Sequence, residues 1–437
     1  MVKNKKSVLK TDVLKKITKH YLESRDFNGI LITNLGKDFT RIKNILIELV
    51  NEGLVVLNFG DRHPNPHILA FDPEPKEEQM EKLKLLNIEK PIYQNLGPVS
   101  MQVNSVSCCA YPSKKYLKEI IDQQKYQGKP FKLLLALGEP QLSYKAFNLK
   151  VLENYRNDPR YSYNTDDVYG SISVKSEEAL SDSDDTFLET FGFAYDQEIK
   201  SRYVAVYLAY LSKMSPKHQQ LWNLEMFDSK TFLHPDYART TDGHWPEKES
   251  IFNAFCEEMR IINEMTEKIY GKPIFRQPCD RYNKPNKFSF LVRPTKEEYE
   301  GFVHLLDKIV SDNINKNFFE GKVEMKSVVD KNGILVEQNK GTIQLLQEWL
   351  DITIKFSDPE PMREMIRIFK RIRKSRSKPA HHVSENHFDD DFFVKQRSLM
   401  KDAYKGVRTL RLILSNHPLS KSVEVPDWLY KGDIWTF

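Results

Sequence analysis

The 437-residue chain reads as an α+β protein, mostly α. Three observations predict this. The N-terminal segment runs helix, helix, strand, strand; the centre alternates short strand-like runs with turns; and the C-terminal third repeats its apolar residues at helical spacing. The chain then divides into a unit at 1–75, a mixed α+β region at 76–185 ending in an acidic linker, a helical unit at 186–284 and a C-terminal helical bundle at 285–437. A hydrophobic content of 40% supports several cores, while a formal charge of +5 singles out no partner. No window approaches the about 18 consecutive apolar residues of a spanning helix, and MVKNKKSVLK lacks the apolar run of a secretory leader. The expectation is a cytoplasmic protein with no membrane partner. Four cysteines are too few for a disulfide framework and show no zinc-ligand spacing, so all four are expected to be reduced and structural.

Thr11 and Asp12 are cap candidates for a first helix whose apolar face is Val13, Leu14, Ile17, Tyr21 and Leu22. A short apolar run at 29–32 reads as a strand. A second helix starts after Asp38, carries Ile42, Ile45, Leu46, Leu49 and Val50 on one face, and stops at Gly53. Runs at 54–59 and 67–71, joined by GDRHPNP, read as a hairpin. This order, with the phrase LVNEGLVVLNFG, resembles the winged helix-turn-helix family over about 60 residues, although 32–38 leaves scarcely any room for the usual middle helix. The resemblance implies that Arg41, Lys43 and Asn44 on the second helix, with Arg62 and His63 at the wing tip, contact DNA or RNA. The same residues also read as solvated charges on a module that contacts protein.

Between 73 and 190 short runs such as 131–137 read as strands, and SEEALSDSDD reads as an exposed acidic hinge with a boundary near 186. Beyond it, Tyr203, Val204, Tyr207, Leu208 and Leu211 recur at helical spacing, as do Phe252, Phe255, Met259, Ile262, Met265 and Ile269. The stretch FLHPDYARTTDGHW collects His234, Asp236, Tyr237, Arg239, Asp242, His244 and Trp245 without a recognised metal spacing.

From 285 the sequence reads as a strand, FSFLV, then helices at 296–311, 341–354, 358–378 and 391–416. Asp358 caps the third of these, and Met362, Met365, Ile366, Phe369 and Ile372 form its buried stripe. Four residues further on, the stripe reaches Arg376, where a guanidinium costs desolvation unless an anion meets it. Lys370, Arg371, Arg373, Lys374 and Lys378 surround it, and Pro379 ends the helix just before His381 and His382. The last helix carries a seam of Phe393, Met400, Val407 and Leu414, able to pack on the preceding helix or on a second copy, and a stripe of Arg397, Tyr404 and Arg411. Asp389, Asp390 and Asp391 read as its N-terminal anions, or with His381, His382 and His387 as a metal cluster.

RSKPAH, with Arg376 and His381 four residues apart, resembles the Arg-x4-6-His motif of the HEPN family of helical domains, over roughly 285–437. Many of its members are metal-independent ribonucleases whose site is shared across a dimer. The resemblance implies an endoribonuclease without a cofactor, with Arg376 on the phosphate, His381 as acid or base and His382 as its substitute. Arg371, Arg373, Lys374 and Lys378 would bind the RNA backbone. It further implies a homodimer, a role as a regulated toxin or antiviral-defence effector, and a regulatory or antitoxin protein as partner. The competing reading is a winged-helix nucleic-acid-binding regulator or scaffold that dimerises through its C-terminal helices.

Overall fold

The computed structural model describes residues 9–436 apart from 64, 87–91, 97–98, 104–107, 176–180, 182, 198–200, 242, 245–247, 278, 280–283, 332–333 and 378–384. The chain is mixed α+β, as expected, and its described residues form three buried apolar clusters.

The first cluster belongs to the N-terminal unit. Helix α1 (Lys10–Glu23) buries Val13, Ile17 and Tyr21. After β1 (Ile30–Leu31) and one 3-10 turn (Ile32–Asn34), α2 (Phe39–Asn51) starts on Asp38, whose carboxylate accepts the Arg41 amide at 3.1 Å. It ends beside Gly53, where φ is +69° and a side chain would be strained. Strand β2 (Val55–Phe59) follows, but its expected partner at 67–71 is no strand. The Asn58 side chain donates instead to the Pro66 and Ile68 carbonyls at 3.0 and 2.9 Å, which removes those acceptors from any ladder. Helix α3 (Lys76–Leu85) and the hairpin of β3 (Ile92–Leu96) with β4 (Val99–Val103) intervene before β5 (Cys108–Pro112), a fully buried strand. This later strand lies between β1 and β2, antiparallel to both.

The centre is built on a larger sheet. Helices α4 (Lys114–Ile120) and α5 (Pro130–Ala136) precede β6 (Tyr144–Asn148) and α6 (Glu153–Arg156). The expected strand at 131–137 is thus a helix: Pro130 sits at its start, where a missing amide hydrogen costs nothing, and Phe131 and Leu135 point into the core. Then come β7 (Tyr161–Thr165), β8 (Tyr169–Val174), β9 (Phe187–Tyr195) and β10 (Arg202–Tyr207). Next are α7 (Leu208–Leu211), α8 (Pro216–Leu224), β11 (Met226–Phe227), β12 (Phe232–Leu233) and α9 (Pro235–Thr240). The strands form one antiparallel sheet in the order β11-β6-β10-β9-β8-β7, with β12 also on β9.

Two expectations fail here. Tyr203, Val204 and Tyr207 lie on a strand rather than a helix, because β10 is covered on both sides and its consecutive buried residues carry no period. The boundary near 186 falls between β8 and β9, which are hydrogen-bonded neighbours, so 186–284 is not a helical unit. Most of the acidic stretch itself, 176–180 and 182, lies outside the described residues.

The third cluster gathers the C-terminal helices. Strand β13 (Glu249–Ser250) leads into α10 (Ile251–Tyr270), and α11 (Lys296–Asp307) continues into a π-helical turn (Lys308–Asp312). The hairpin of β14 (Lys326–Lys331) and β15 (Ile334–Asn339), which no pattern announced, precedes α12 (Thr342–Thr353). Helices α13 (Glu360–Ser377), α14 (Asp391–Ser415) and α15 (Asp427–Lys431) follow, and β16 (Ile434–Trp435) pairs in parallel with β13. The expected strand FSFLV is absent for a definable reason. Leu291 donates its amide to the Gln396 side chain at 3.0 Å, and Val292 and Arg293 donate theirs to Glu298 at 2.9 Å each. Side chains of α14 and α11 replace a neighbouring strand.

The α14 seam is buried within the chain, with Met400, Val407 and Leu414 at 2% exposure or less. Gly406 lets α13 come close, since a Cβ there would lie 2.8 Å from the Phe369 ring. Arg411 and Glu258, both buried, pair across α14 and α10. Cys256 and Cys279 form a disulfide, contrary to the expectation of four reduced cysteines, while Cys108 and Cys109 are free and buried.

His234 caps α9, its ring nitrogen accepting the Asp236 amide at 3.2 Å, and Asp236 accepts the Trp435 indole at 2.6 Å. This clustering is structural, and Asp242 and Trp245 lie outside the described residues. Burial pushes the His234 imidazole down from 6.5 to about 3. The neutral ring therefore favours the fold above pH 6.5, and stability is lost as the pH falls from 6.5 towards 3, because only the unfolded chain takes up the proton. Urea unfolding should show a loss of about 2 kcal/mol from this group between pH 6.5 and pH 5, absent in His234→Gln.

Candidate functional site

The buried stripe of α13 forms as its spacing dictates: Met362, Met365, Ile366, Phe369 and Ile372 are at most 3% exposed. Asp358 accepts the Glu360 amide at 2.9 Å and opens the helix. At the other end the stripe gives way to charge, and the anion that Arg376 needs is supplied by the chain itself. Arg376 Nη1 donates to Asp307 Oδ2 and to Asp312 Oδ2, both at 2.8 Å. Arg373 donates to the other oxygens of the same two carboxylates, Nε to Asp307 at 2.9 Å and Nη2 to Asp312 at 2.7 Å. Two arginines and two aspartates form one closed quartet.

Its geometry depends on the π-helical turn. Five residues along an α-helix turn through about 500°, which would leave Asp307 and Asp312 on different faces. In a π-helix, the hydrogen bond spans five residues and stacks the second position above the first. Both carboxylates then meet the same pair of guanidiniums. Asp307 is fully buried, whereas Asp312 is 43% exposed. Hydrogen bonds from Asp307 and then Asp312 hold Arg376 in its charged form, raising its pKa above the ordinary value.

Arg376 spends only Nη1 on these bonds. Its Nε and Nη2 have no acceptor among the described residues, and the side chain is 33% exposed. That edge offers two parallel donors, the arrangement that matches two oxygens of one phosphate.

The other basic positions divide. Arg371 pairs with Asp402 at 2.5 Å on the surface, and Lys374 is exposed without an ion pair among the described residues. Lys378, His381 and His382 lie outside the described residues. Downstream, Asp389 accepts the Asp391 amide at 3.0 Å and caps α14, and this hydrogen bond lowers the Asp389 pKa. Among the described residues no group of three or more His, Cys, Asp or Glu converges as a metal site.

At the N-terminal unit the expected nucleic-acid contacts are partly engaged elsewhere. Lys43 donates to the carbonyls of Lys84 and Leu86 at 2.6 and 3.1 Å, at the C-terminal end of α3, where a cation suits the helix dipole. Arg62 donates to the Asp72 carbonyl at 2.6 Å and lies over the Phe71 ring. His63 is buried, with a ring nitrogen 3.2 Å from the Thr241 carbonyl, so the expected wing tip is docked on the central unit. Arg41 and Asn44 remain exposed on α2.

No family model, curated protein or solved structure matches the chain. No helix among the described residues is long and apolar enough to cross a membrane.

Asp307 and Asp312 escaped the reading of the sequence because they lie more than sixty positions before their partners. The one available signal was an acid at the end of an otherwise apolar helical stripe, Phe302, Val303, Leu306. The quartet makes a quantitative demand. Arg373→Ala or Arg376→Ala alone leaves Asp307 one cation and should cost less than about 1.5 kcal/mol in urea unfolding, whereas the double variant strands a buried carboxylate and should cost about 3–5 kcal/mol.

Proposed function

We propose that the protein is a metal-independent endoribonuclease of the HEPN type, acting as a regulated toxin or antiviral-defence effector. The observation that carries the proposal is the Arg376 guanidinium: fixed from one side by Asp307 and Asp312, it keeps its Nε and Nη2 donors at the surface, on the helix that runs directly into the segment holding His381 and His382. A donor fork oriented before substrate arrives can bind two phosphate oxygens and stabilise charge as it accumulates in the transition state. The reaction needs no added nucleophile. The 2′-hydroxyl loses its proton to a base and attacks the adjacent phosphorus, and the 5′-oxygen leaves with a proton from an acid, giving a 2′,3′-cyclic phosphate and a 5′-hydroxyl. His381 is the acid or base, His382 its substitute, and a second copy of the chain in a homodimer supplies the complementary group. Lys374, Arg371 and Lys378 contribute charge toward the RNA backbone, while Arg373 acts within the quartet.

The N-terminal unit is winged-helix-like on this reading. The β1-β5-β2 order with α2 running into β2 supports it, with the segment 60–107 inserted where a wing turn would be. Engagement of Lys43, Arg62 and His63 by other parts of the chain favours protein or intramolecular contact over DNA binding for this unit. A regulatory or antitoxin protein is the partner this arrangement anticipates.

Purified protein incubated with total RNA and a chelator should yield fragments with cyclic-phosphate ends. His381→Ala should lower the rate by roughly 10²–10⁴-fold, and Arg376→Ala by roughly 10²–10³-fold. Arg376→Lys should keep the unfolding midpoint yet lose most of the rate, since an ammonium lacks the fork. Intact RNA under all conditions, including induced expression in cells, would overturn the reading.

A further inference from the structure

Between the β8–β9 side of the large sheet and the first turn of α10 lies a cavity of about 440 Å³, lined almost entirely by polar groups. It is remote in sequence from the quartet and has no part in the chemistry above. Its size equals the share of roughly fifteen waters, which is room for a small organic molecule rather than a bare ion.

Its walls hold acceptors that nothing satisfies. Asn253, on the first turn of α10, is 4% exposed and lines the cavity. Its amide nitrogen donates to Glu249 Oε2 at 3.1 Å, which fixes the flip and leaves Oδ1 as the open end, and that oxygen is buried without a hydrogen-bond partner. A stranded acceptor of this kind costs about 1–3 kcal/mol unless a donor arrives. Beside it, Asp167 is held in left-handed backbone geometry at φ +71° and is also 4% exposed. It takes Lys284 Nζ at 2.9 Å and the Ser250 hydroxyl at 3.1 Å on Oδ2, while its Oδ1 is buried and unpartnered. Such backbone strain persists only where the surroundings over-determine it.

The charge balance has one sign. Lys284 is the single cation among the described residues lining the cavity, and Asp167 neutralises it. Asp166 and Glu189 also line it; Glu189 is exposed and makes no ion pair among the described residues. With Lys284 cancelled, these two carboxylates leave the cavity net negative.

We propose that this cavity binds a small organic cation of the diamine or polyamine class. One ammonium donates to Asn253 Oδ1 in the buried end, and the remaining positive charge lies toward Glu189 at the mouth. The alkyl chain fills a volume that a metal ion would leave to water. The bound amine bridges the sheet and α10, two parts of the chain otherwise joined here through the Asp167–Lys284 pair.

Isothermal titration of the full chain, free of nucleic acid, with spermidine and with putrescine at matched ionic strength tests this. One saturable site per chain is expected, with the melting temperature rising as it fills. Glu189→Gln, a surface change that spares the fold, should weaken binding about tenfold, and Asn253→Leu should weaken it at least as much. Absence of saturable binding, equal affinity in both variants, or tighter stoichiometric binding of magnesium or calcium alone would overturn the proposal.

Discussion

A carboxylate taken out of water must be met by cations or protonated, and this single constraint fixes how the parts of the molecule are joined. Three acids are buried almost completely: Asp167, Glu258 and Asp307. Each is answered from far along the chain, by Lys284, by Arg411 and by the pair Arg373 and Arg376. The bonds tie the sheet to the segment before α11, α10 to α14, and α11 to α13. Apolar packing supplies the driving force in each case, because a buried ion pair adds little net stability over a hydrophobic replacement. What the pairs do is discriminate among packings: sliding α13 by one turn along α11 would leave Asp307 without a partner.

The same constraint shapes the candidate site. An arginine at the end of an apolar stripe is held rigidly only if something on the neighbouring helix holds it. Asp307 does so from complete burial and Asp312 from the surface. The result is a guanidinium with one committed nitrogen and one open edge. Side-chain rotamer freedom, which an arginine otherwise gives up when it grips a ligand, is already spent within the fold.

Legibility in the sequence followed the range of the forces involved. The four long C-terminal helices, and α1 and α2, were readable because amphipathic period and caps are local: Asp38, Asp358 and Gly53 behave as their types predict. The failures are all tertiary. Strand β10 looked helical because its residues are buried on both faces. FSFLV looked like a strand but pairs with the side chains of Gln396 and Glu298. The hairpin expected at 67–71 lost to Asn58, and its place went to a strand fifty residues later. Of the candidate site, the phase of Arg376 was legible and its acidic partners were not. His381 and His382 lie outside the described residues, so their placement rests on the sequence alone.

The π-helical turn from Lys308 to Asp312 has a consequence for how this chain tolerates change. Its role is to count: one residue more than an α-helical turn contains is what returns Asp312 to the side of Asp307. Substitutions at Ile309, where the side chain is only partly buried, alter a surface and leave the count intact. Deletion of any one residue between the two aspartates restores α-helical phase, swings Asp312 away from both arginines and shifts everything downstream by a residue. At this point the chain is more sensitive to length than to composition, and single-residue deletions here should be far less tolerated than any conservative replacement.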